Sequence, residues 1–259
     1  MSPIKLYWCA HDSGGRRNFG DWMSPELVRE LSGREVVYAN ARWADLVAVG
    51  SVLQRLTTTW WNKRVHVWGT GLMHAGRPMR PRHHYHAVRG RLTAELLGRT
   101  DIPAFGDPGL LVHRLLPGFA TVPKCRDIGV VPHHTEQAHP GVGALCARLP
   151  GVRVVDITAP TQEFLRELAA CRFVLSSSLH GLITADAFQI PNAWITISNE
   201  LRGGAFKFED YYSVFGLKPV ACAIDAVDSA FVEKACAIYQ RPGLDGIRQQ
   251  LLGSFPFPR

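Results

Sequence analysis

Residues 172–188, RFVLSSSLHGLITADAF, decide the fold of this chain. An apolar run typical of a buried strand leads through three serines into a helix that opens with His180 and Gly181. Backbone N–H groups at a helix start lack intrahelical partners, and the helix dipole adds positive potential, so this turn can bind an anion. The imidazole of His180 can move a proton near neutral pH. These features indicate a site for a phosphate-bearing substrate, although a plain strand-to-helix junction with a serine N-cap and a structural histidine fits the same residues.

Short apolar strands alternate with helices on both sides of this stretch. In the first half we predict strands at residues 4–9, 35–39, 45–50, 64–68, 86–88 and 104–105, with a helix that starts at Ser24-Pro25 and ends before Gly33, and helical periodicity over 92–97. In the second half we predict strands at 128–133, 152–157, 173–176 and 193–197, and helices at 141–149, 161–170, 181–188, 227–239 and 244–252. Such alternation is typical of βαβ units and of parallel sheets covered on both faces.

A proline- and lysine-containing segment at 116–127 indicates a link between two halves. We therefore predict an α/β protein with two Rossmann-like domains whose parallel sheets are flanked by helices. The N-terminal domain covers residues 1–120, and the C-terminal domain covers 121–259, with C-terminal helices that can pack back across both. Ligands bind at the carboxyl ends of the strands in such sheets, so we expect a site in the cleft between the domains.

The composition restricts the class of protein. With 259 residues, 46% hydrophobic and 20% charged, the chain can form a large core and is not globally disordered. No apolar run reaches the ~18 residues of a membrane span, and the N-terminus lacks the apolar stretch of a signal peptide, so we expect a cytoplasmic protein. The six cysteines show no C-x-x-C spacing and are expected to be free thiols.

The formal net charge of +7 favours acidic partners such as phosphate-bearing substrates or anionic lipid surfaces. No nucleic-acid-binding motif accompanies the basic residues, so we expect no nucleic acid partner. The histidines of the HHYH run at 83–86 offer two ligands on one strand face without a third group, so we predict no metal site.

Several loops at predicted strand ends form an ordered series. They are NFGD at 18–21, VRGRLT at 88–93, GDPGLL at 106–111, GVVPH at 129–133, SSLHG at 177–181, IPN at 190–192 and KFEDYY at 207–212. In this order, over roughly residues 15–216, the chain resembles the polysaccharide pyruvyl transferase family. Within that family it is most similar to members that decorate exopolysaccharides of the succinoglycan type.

The resemblance implies a GT-B-like fold and transfer of the enolpyruvyl unit of phosphoenolpyruvate onto a sugar as a cyclic ketal. It implies no cofactor beyond this donor substrate, which would bind on the C-terminal side, and a lipid-linked oligosaccharide acceptor on the N-terminal side. The chain departs from the family at one position. Many members carry arginine two residues before the histidine of the Leu-His motif, where this chain has Ser178, so Arg89, Arg202 and Lys207 are the candidates for the missing cation.

Ketal formation requires a proton for the methylene carbon of the donor, and His180 is our candidate for the general acid. Beside an anionic substrate the pKa of its imidazole should rise. The alternative is that His180 only contacts a phosphate oxygen or caps the helix. We expect Ser176, Ser177, Ser178 and Gly181 to offer hydroxyl and backbone N–H groups to the phosphate.

Each cationic candidate has a structural alternative. Arg89 can grip a carboxylate with two parallel hydrogen bonds, or it can form a surface salt bridge. Lys207 follows Gly203-Gly204 and can swing over a bound ligand, or it can be a solvated loop lysine. We expect Asp210 to anchor the loop of Lys207.

On the N-terminal side, Asp21 is the candidate that orients or deprotonates an acceptor hydroxyl, with Asn18 and Gly20 of the same loop as substrate contacts. An Asx-type turn that fixes the loop explains Asp21 equally well. Asp107, which precedes a proline, is predicted to be structural. Tyr211 or Tyr212 is predicted to stack on a sugar.

Two other functions fit the same residues. A GT-B-type glycosyltransferase that uses a nucleotide sugar shares the predicted fold, and fold analogy does not separate the two activities. A non-catalytic sugar-binding subunit of a polysaccharide assembly complex is the third hypothesis, because the family arginine is absent at Ser178. The basic surface suits an acceptor whose diphosphate lies at an anionic membrane face, so peripheral contact with the inner face of the membrane is a further expectation.

Overall fold

The computed structural model of the protein describes residues 2–10, 18–56, 59, 62–76, 82–198 and 204–259. In these residues two parallel sheets, of six and five strands, are flanked by helices. This architecture confirms the predicted α/β fold with two Rossmann-like, GT-B-like domains.

The first sheet is built from residues of the N-terminal half. Its strand order is β2-β1-β3-β4-β5-β6, and every neighbouring pair is parallel. Its strands are β1 (Ile4–Tyr7), β2 (Val36–Tyr38), β3 (Leu46–Val47), β4 (His66–Trp68), β5 (His84–Val88) and β6 (Ala104–Phe105).

The second sheet repeats this arrangement in the C-terminal half. Its order is β11-β10-β9-β7-β8, again with parallel neighbours. Its strands are β7 (Arg126–Val131), β8 (Val152–Val154), β9 (Cys171–Ser176), β10 (Asn192–Thr196) and β11 (Cys222–Ala223). In each sheet the strand order reverses beside the first strand, β1 or β7, and ligands bind in the crevice at the carboxyl ends of the strands at such a point.

Helices cover both sheets. They are α1 (Phe19–Ser32), α2 (Arg91–Leu96), α3 (Pro140–Arg148), α4 (Thr161–Ala169), α5 (Leu179–Ala187), α6 (Phe206–Tyr212), α7 (Ser229–Ala237) and α8 (Leu244–Gly253). A 3₁₀ segment at Pro108–Leu115 adds a turn that the sequence patterns did not predict.

One apolar layer joins the two sheets. The rings of Phe19 on α1 and Phe164 on α4 lie 4.3 Å apart between centroids. A Cβ atom added to Gly109, in the 3₁₀ segment, would lie 2.8 Å from Ile183 Cγ2 and 2.9 Å from Met23 Cε. These close approaches leave no room for a larger residue at 109, so α1, the 3₁₀ segment and α5 pack as one layer.

The start of α1 differs from our prediction. The helix begins at Phe19, and the side chain of Asn18 caps it by accepting a hydrogen bond from the Gly20 N–H at 3.3 Å. Ser24 and Pro25 lie inside the helix, where the buried Ser24 hydroxyl accepts a hydrogen bond from the Val49 N–H. The Ser-Pro-Glu run has the composition of a helix start, but the earlier asparagine provides the cap, so this prediction was wrong.

The C-terminal tail packs across both domains. Helix α8 contacts β6 of the first sheet, and the Trp68 Nε1–H donates a hydrogen bond to the Leu251 carbonyl at 2.9 Å. The last helix, which follows the second sheet in the chain, therefore completes the cover of the first. Cys125, Cys146, Cys171, Cys222 and Cys236 are free thiols. Among the helices of the described ranges, none combines the length and apolarity that a bilayer crossing requires.

Candidate active site

A pocket of about 300 Å³ lies where the carboxyl ends of the two sheets face each other. That volume is at the lower end of the range for small-molecule sites. The first half of the chain contributes Tyr7, Cys9, Asn18, Asp21, Ser51, Val52, Gln54, Arg55, Met73 and His74, and the second contributes His133, His134, Ser178, Leu179, His180 and Lys207. The structure thus brings together residues from most of the predicted loops.

The serine-rich turn between β9 and α5 forms one wall of this pocket, but its hydroxyls are not all directed toward it. Ser176 pairs with Val131 across the sheet, and its hydroxyl accepts a hydrogen bond from the Ser178 N–H at 3.0 Å. Ser177 donates to Glu136 Oε2 at 2.7 Å and accepts from the His133 N–H at 2.8 Å. Both side chains are fully buried. Of the three serines only Ser178 lines the pocket, so the predicted hydroxyl contacts of Ser176 and Ser177 with a phosphate do not fit this geometry.

Glu136 stabilises the serine-rich turn through hydrogen bonds, a role that the sequence analysis did not predict. Its two carboxylate oxygens accept hydrogen bonds from Ser177 and, at 2.6 Å, from Ser198. The side chain is buried. The sequence gives no local signal for this contact, because Glu136 lies 41 residues before the serine that it bonds.

Gly181 is required by the packing under the turn. A Cβ atom there would lie 2.3 Å from Ser176 Oγ and 2.9 Å from Val131 Cγ1. The residue therefore lets α5 start directly against β7 and β9, and it contributes to the turn through its backbone.

His180 lies at the first turn of α5, between the pocket and the apolar layer. Its Nε2 atom faces Asp107 Oδ2 at 3.9 Å. Burial, together with the positive charges of Lys207 and Arg89, lowers the pKa of His180 to about 3. In the absence of substrate the imidazole is therefore neutral, and the predicted rise in its pKa depends on an anion in the pocket.

The loop before α1 places Asp21 in the pocket. The Asn18 side-chain amide donates a hydrogen bond to Asp21 Oδ2 at 3.1 Å, and the Asx-type hydrogen bond of this loop is accepted by Asn18 from the Gly20 N–H, whereas it was predicted for Asp21. Burial raises the pKa of Asp21 to about 7, against the opposing effects of Asn18 and Lys207. This carboxyl can therefore carry or release a proton near neutral pH. Gly20 lies directly against the imidazole of His180, because a Cβ atom at 20 would lie 1.9 Å from Nδ1.

Arg89 forms a salt bridge that is buried, whereas the sequence suggested a substrate clamp or a surface pair. Its guanidinium is fully buried and contacts Asp210 Oδ2 at 2.9 Å. It also donates to the Leu72 carbonyl at 2.6 Å and to the Ser51 hydroxyl. With these partners it links the first sheet to α6 and does not line the pocket.

Of the two predicted cations that the structure describes, Arg89 and Lys207, Lys207 lines the pocket. It lies at the start of α6 and is buried, so the alternative of a solvated loop lysine was wrong, while its movement over a bound ligand stays a prediction. Burial and the charge of Arg89 lower the pKa of its ammonium group to about 8, against the opposing effects of Glu136 and Asp21. Arg202 lies outside the described residues. The contact of each of these groups with a substrate stays a prediction.

Asp210 anchors α6, which carries Lys207. Its Oδ1 accepts a hydrogen bond from the Thr93 N–H at 2.8 Å, and its Oδ2 accepts one from the Thr93 hydroxyl at 2.7 Å. The prediction that Asp210 holds Lys207 in place therefore fits the structure, with a helix in place of a loop.

The two tyrosines that follow are structural. The Tyr211 hydroxyl donates to Asp186 Oδ2 at 2.6 Å, and the Tyr212 hydroxyl accepts from Arg241 at 3.1 Å. Both rings are buried. The expectation that one of them stacks on a sugar was wrong, because the hydrophobic periodicity of α6 turns both toward the core.

Asp107 has the predicted structural role and also faces His180, which the sequence did not predict. Its Oδ1 accepts a hydrogen bond from the Gly109 N–H at 2.8 Å and caps the 3₁₀ segment. Burial raises the pKa of Asp107 to about 7, while the Gly109 N–H and Arg89 act in the opposite direction. The pocket region thus combines a helix start, an ammonium group, an imidazole and two carboxyls that titrate near neutral pH. Within the described ranges, no group of three metal-ligating side chains is placed to hold a metal ion.

Comparisons with known proteins identify two relatives. An uncharacterised protein of Acanthamoeba polyphaga mimivirus is 29% identical over 165 residues, which cover 61% of this chain and 57% of that protein. The succinoglycan biosynthesis protein ExoV of Rhizobium meliloti (strain 1021) is 30% identical over 223 residues, which cover 83% of this chain and 66% of ExoV. The chain therefore spans somewhat under two thirds of the length of each relative.

The family model for polysaccharide pyruvyl transferases matches residues 32–199, from the end of α1 to just beyond β10. This range contains the strand-to-helix turn with His180, as well as Asp107 and Arg89. On this match and on the similarity to ExoV, the chain belongs to the polysaccharide pyruvyl transferase family.

Proposed function

We propose that this protein transfers the pyruvyl group of phosphoenolpyruvate to a sugar of an exopolysaccharide precursor and forms a cyclic ketal. The observation that carries the proposal is the pocket itself. At the facing carboxyl ends of two parallel sheets, it combines the start of α5, the Lys207 ammonium group and the His180 imidazole with the Asp21 carboxyl. Anion binding and proton transfer in one small cavity are what an enol phosphate requires.

The reaction sets the demands on the site. A proton adds to the methylene carbon of the donor and makes it a methyl group, and a sugar hydroxyl forms a C–O bond to the adjacent carbon. The bond from that carbon to the phosphate oxygen then breaks, and a second hydroxyl takes its place. The two hydroxyl protons of the acceptor balance the equation, since one ends in the methyl group and the other on the released phosphate.

His180 is suited to the first proton transfer. While the pocket holds no anion, burial and the charges of Lys207 and Arg89 disfavour the imidazolium and lower its pKa. A phosphate and a carboxylate beside the ring would reverse this balance and raise its pKa. A positioned acid of this kind typically contributes about 10²–10⁴ to the rate.

Lys207 supplies the cation in our proposal, in place of the arginine that the family resemblance leads one to expect at Ser178. Its ammonium group lines the pocket, whereas Arg89 is already bonded to Asp210, Ser51 and Leu72. Because the ammonium group is buried, its attraction for a phosphate is less screened than it would be at the surface.

Asp21 is the group that we expect to contact the acceptor sugar. It lines the pocket together with Ser178 and His180 and can take a proton from a sugar hydroxyl, since burial raises its pKa to about 7. For the acceptor we propose a lipid-linked oligosaccharide at the cytoplasmic face of the membrane, because the net charge of +7 suits a diphosphate and anionic lipids.

The test of the proposed function is donor binding followed by turnover. We expect phosphoenolpyruvate to raise the melting temperature, and UDP and GDP to leave it unchanged. His180→Gln should bind the donor and lose turnover by about 10²-fold or more. His84→Gln is the matched control, since His84 is exposed on β5, and it should behave as the unmodified protein.

Lys207 is tested by comparing Lys207→Met with Lys207→Arg. The methionine variant should weaken phosphoenolpyruvate binding at least tenfold, while the arginine variant should retain part of it. Lys218→Met, at an exposed position, is the control. Stabilisation by UDP or GDP in place of phosphoenolpyruvate would replace the proposal by a nucleotide-sugar glycosyltransferase.

The product is identified in the host polysaccharide. Mass spectrometry of polysaccharide made with and without this protein should show the mass of a pyruvate ketal only when the protein is present. A polysaccharide of unchanged mass would contradict the proposed reaction.

A further inference from the structure

A buried carboxylate and a buried imidazole face each other beneath the pocket. Asp107 Oδ2 and His180 Nε2 are 3.9 Å apart, and neither atom has a hydrogen-bond partner in the part of the chain that the structure describes. A closing movement of about 1 Å would bring them within hydrogen-bond distance. The two atoms come from separate elements, the end of β6 and the start of α5, so the pair is a tertiary arrangement.

The N-cap role of Asp107 does not explain this second oxygen. Oδ1 alone accepts the hydrogen bond from the Gly109 N–H, and asparagine caps a helix as well as aspartate does. A buried polar atom without a partner is unfavourable for folding. The retention of a carboxylate here therefore points to the histidine that it faces.

The orientation of the imidazole assigns its two nitrogens to different surroundings. Nε2 is enclosed and faces Asp107. The edge that carries Nδ1 lies against Gly20, in the same loop that contributes Asn18 and Asp21 to the pocket. Because His180 lines the pocket and Nε2 is its enclosed nitrogen, we assign Nδ1 to the side of the substrate.

We propose that Asp107 is a positioning residue for His180. Its Oδ2 accepts a hydrogen bond from Nε2–H, and Nδ1 is then the nitrogen that exchanges a proton with the substrate. The inference rests on the proposed function. In the first step the Nδ1–H bond of the imidazolium breaks, and its proton bonds to the methylene carbon of the enol phosphate. The ring becomes neutral, and Nε2 keeps its proton, which stays hydrogen-bonded to Asp107. Nδ1 then recovers a proton from the attacking sugar hydroxyl.

The surrounding charges are compatible with this role. Lys207 and Arg89 act on His180, and Arg89 and Asp210 act on Asp107. The two cations oppose the imidazolium, so a carboxylate hydrogen-bonded to Nε2 is the protein group that would favour it. Substrate anions would add to this effect from the Nδ1 side.

Asp107→Asn separates positioning from capping. The amide oxygen can keep the hydrogen bond from the Gly109 N–H, and the NH₂ group then donates to Nε2. His180 would be forced into the tautomer with its proton on Nδ1. A comparable change in a catalytic triad lowers kcat by about 10⁴.

The tautomer is measured at about pH 8, where the Asp107 carboxyl with its pKa of about 7 is ionised, by long-range ¹H–¹⁵N NMR of the histidine rings in the protein without substrate. Comparison with the His180→Gln spectrum assigns the signal. We expect the Nε2–H tautomer in the unmodified protein and the Nδ1–H tautomer in Asp107→Asn. With phosphoenolpyruvate and acceptor, kcat should fall by about 10²–10⁴ in that variant while KM changes less than about threefold.

Asp228→Asn is the matched control, since Asp228 caps α7 with the same kind of side-chain hydrogen bond, to the Phe231 N–H at 2.7 Å. It should alter neither the tautomer nor kcat. An Nδ1–H tautomer in the unmodified protein would overturn the proposal, and this result does not require the variant to fold. Unchanged tautomer and kcat in Asp107→Asn would overturn it as well.

Failure of the proposed function gives a different result. In that case phosphoenolpyruvate neither binds nor turns over in the unmodified protein, while the NMR measurement still decides whether Asp107 holds Nε2–H.

Discussion

Two buried acid–base pairs lie in the layer between the sheets, and they differ in how completely they are hydrogen-bonded. In the Arg89–Asp210 pair, the guanidinium also bonds Ser51 and Leu72, and the carboxylate also bonds Thr93. In the His180–Asp107 pair, Nε2 and Oδ2 have no hydrogen-bond partner among the described residues.

The difference separates support from reactivity. A buried ion pair whose donors and acceptors are all engaged holds its two elements in one arrangement. A pair with unused donors and acceptors can change its protonation state without breaking the fold. The sequence suggested the opposite assignment, with Arg89 as a substrate ligand and Asp107 as a structural residue.

The largest effect on stability should come from breaking the Arg89–Asp210 pair, in which the donors and acceptors are hydrogen-bonded. Arg89→Met leaves Asp210 charged and buried without its partner, which should lower the free energy of unfolding by about 3–5 kcal/mol. Urea denaturation measures this change. Adding Asp210→Asn should recover much of the loss, because the amide removes the charge and can still accept from the Thr93 N–H.

Arg126→Met is the control for this experiment. Its pair with Glu167 is partly exposed, so little change in stability is expected. If Arg89→Met were no more destabilising than the control, the supporting role of the Arg89–Asp210 pair would be wrong.

A smaller effect, on activity, is expected from Gly20→Ala. The new methyl group would lie 1.9 Å from His180 Nδ1, so the imidazole must move by more than 1 Å. A displacement of about 1 Å at a reacting group can cost about 10²-fold in rate. Steady-state kinetics should show this loss while urea denaturation shows a folded protein, since alanine is favourable in a helix.

Gly143→Ala tests the same substitution where there is room for it. No atom lies within 4 Å of a Cβ placed at this position of α3, so activity should be unchanged. Normal kinetics for Gly20→Ala would show that the imidazole does not need its place beside the loop.

The smallest effect at any one step of pH is a pH dependence of stability, whose slope is the quantity to measure. Burial raises the pKa of Asp107 to about 7 from 3.8. Its contribution to stability is therefore fully present below pH 3.8 and is lost as the pH rises to about 7. Relative to Asp107→Asn, the unmodified protein should lose at most about 1.4 kcal/mol per pH unit in this window.

Urea denaturation of both proteins between about pH 5 and pH 8 measures the difference. Asp156→Asn is the control, because hydrogen bonds from Thr158 and Gln137 outweigh burial and lower the pKa of Asp156, so the sign of its effect is reversed and confined to acid pH. Parallel stability curves for the unmodified protein and Asp107→Asn would mean that the Asp107 carboxyl does not titrate in this range.

The fold could be predicted well from the sequence because its signals are local. Apolar runs bounded by glycine, serine and proline located β1 to β10, and the strand-to-helix junction at 172–188 was placed within two residues, whereas the two-residue strand β11 was missed. The start of α1 was wrong because Ser24-Pro25 matches a helix start as well as Asn18 does. The 3₁₀ segment after Asp107 was missed because its short turns leave no periodic pattern.

The site was predicted less completely because its geometry depends on contacts between distant residues. Arg89 and Asp210 are 121 residues apart, and no sequence pattern links them. The sequence also did not show which way each serine of the turn points. That direction follows from the pairing of Ser176 with Val131 across the sheet.

The course of the C-terminal tail has a consequence for synthesis of the chain. The ring of Phe255 lies 4.7 Å from that of Trp68 between centroids, and Leu251 accepts the Trp68 indole hydrogen bond. During translation the first lobe would remain without this cover until residues 244–255 have left the ribosome. Proteins of this size usually fold domain by domain, but here the first lobe would lack part of its packing until the tail binds. The two lobes should therefore unfold as one cooperative unit.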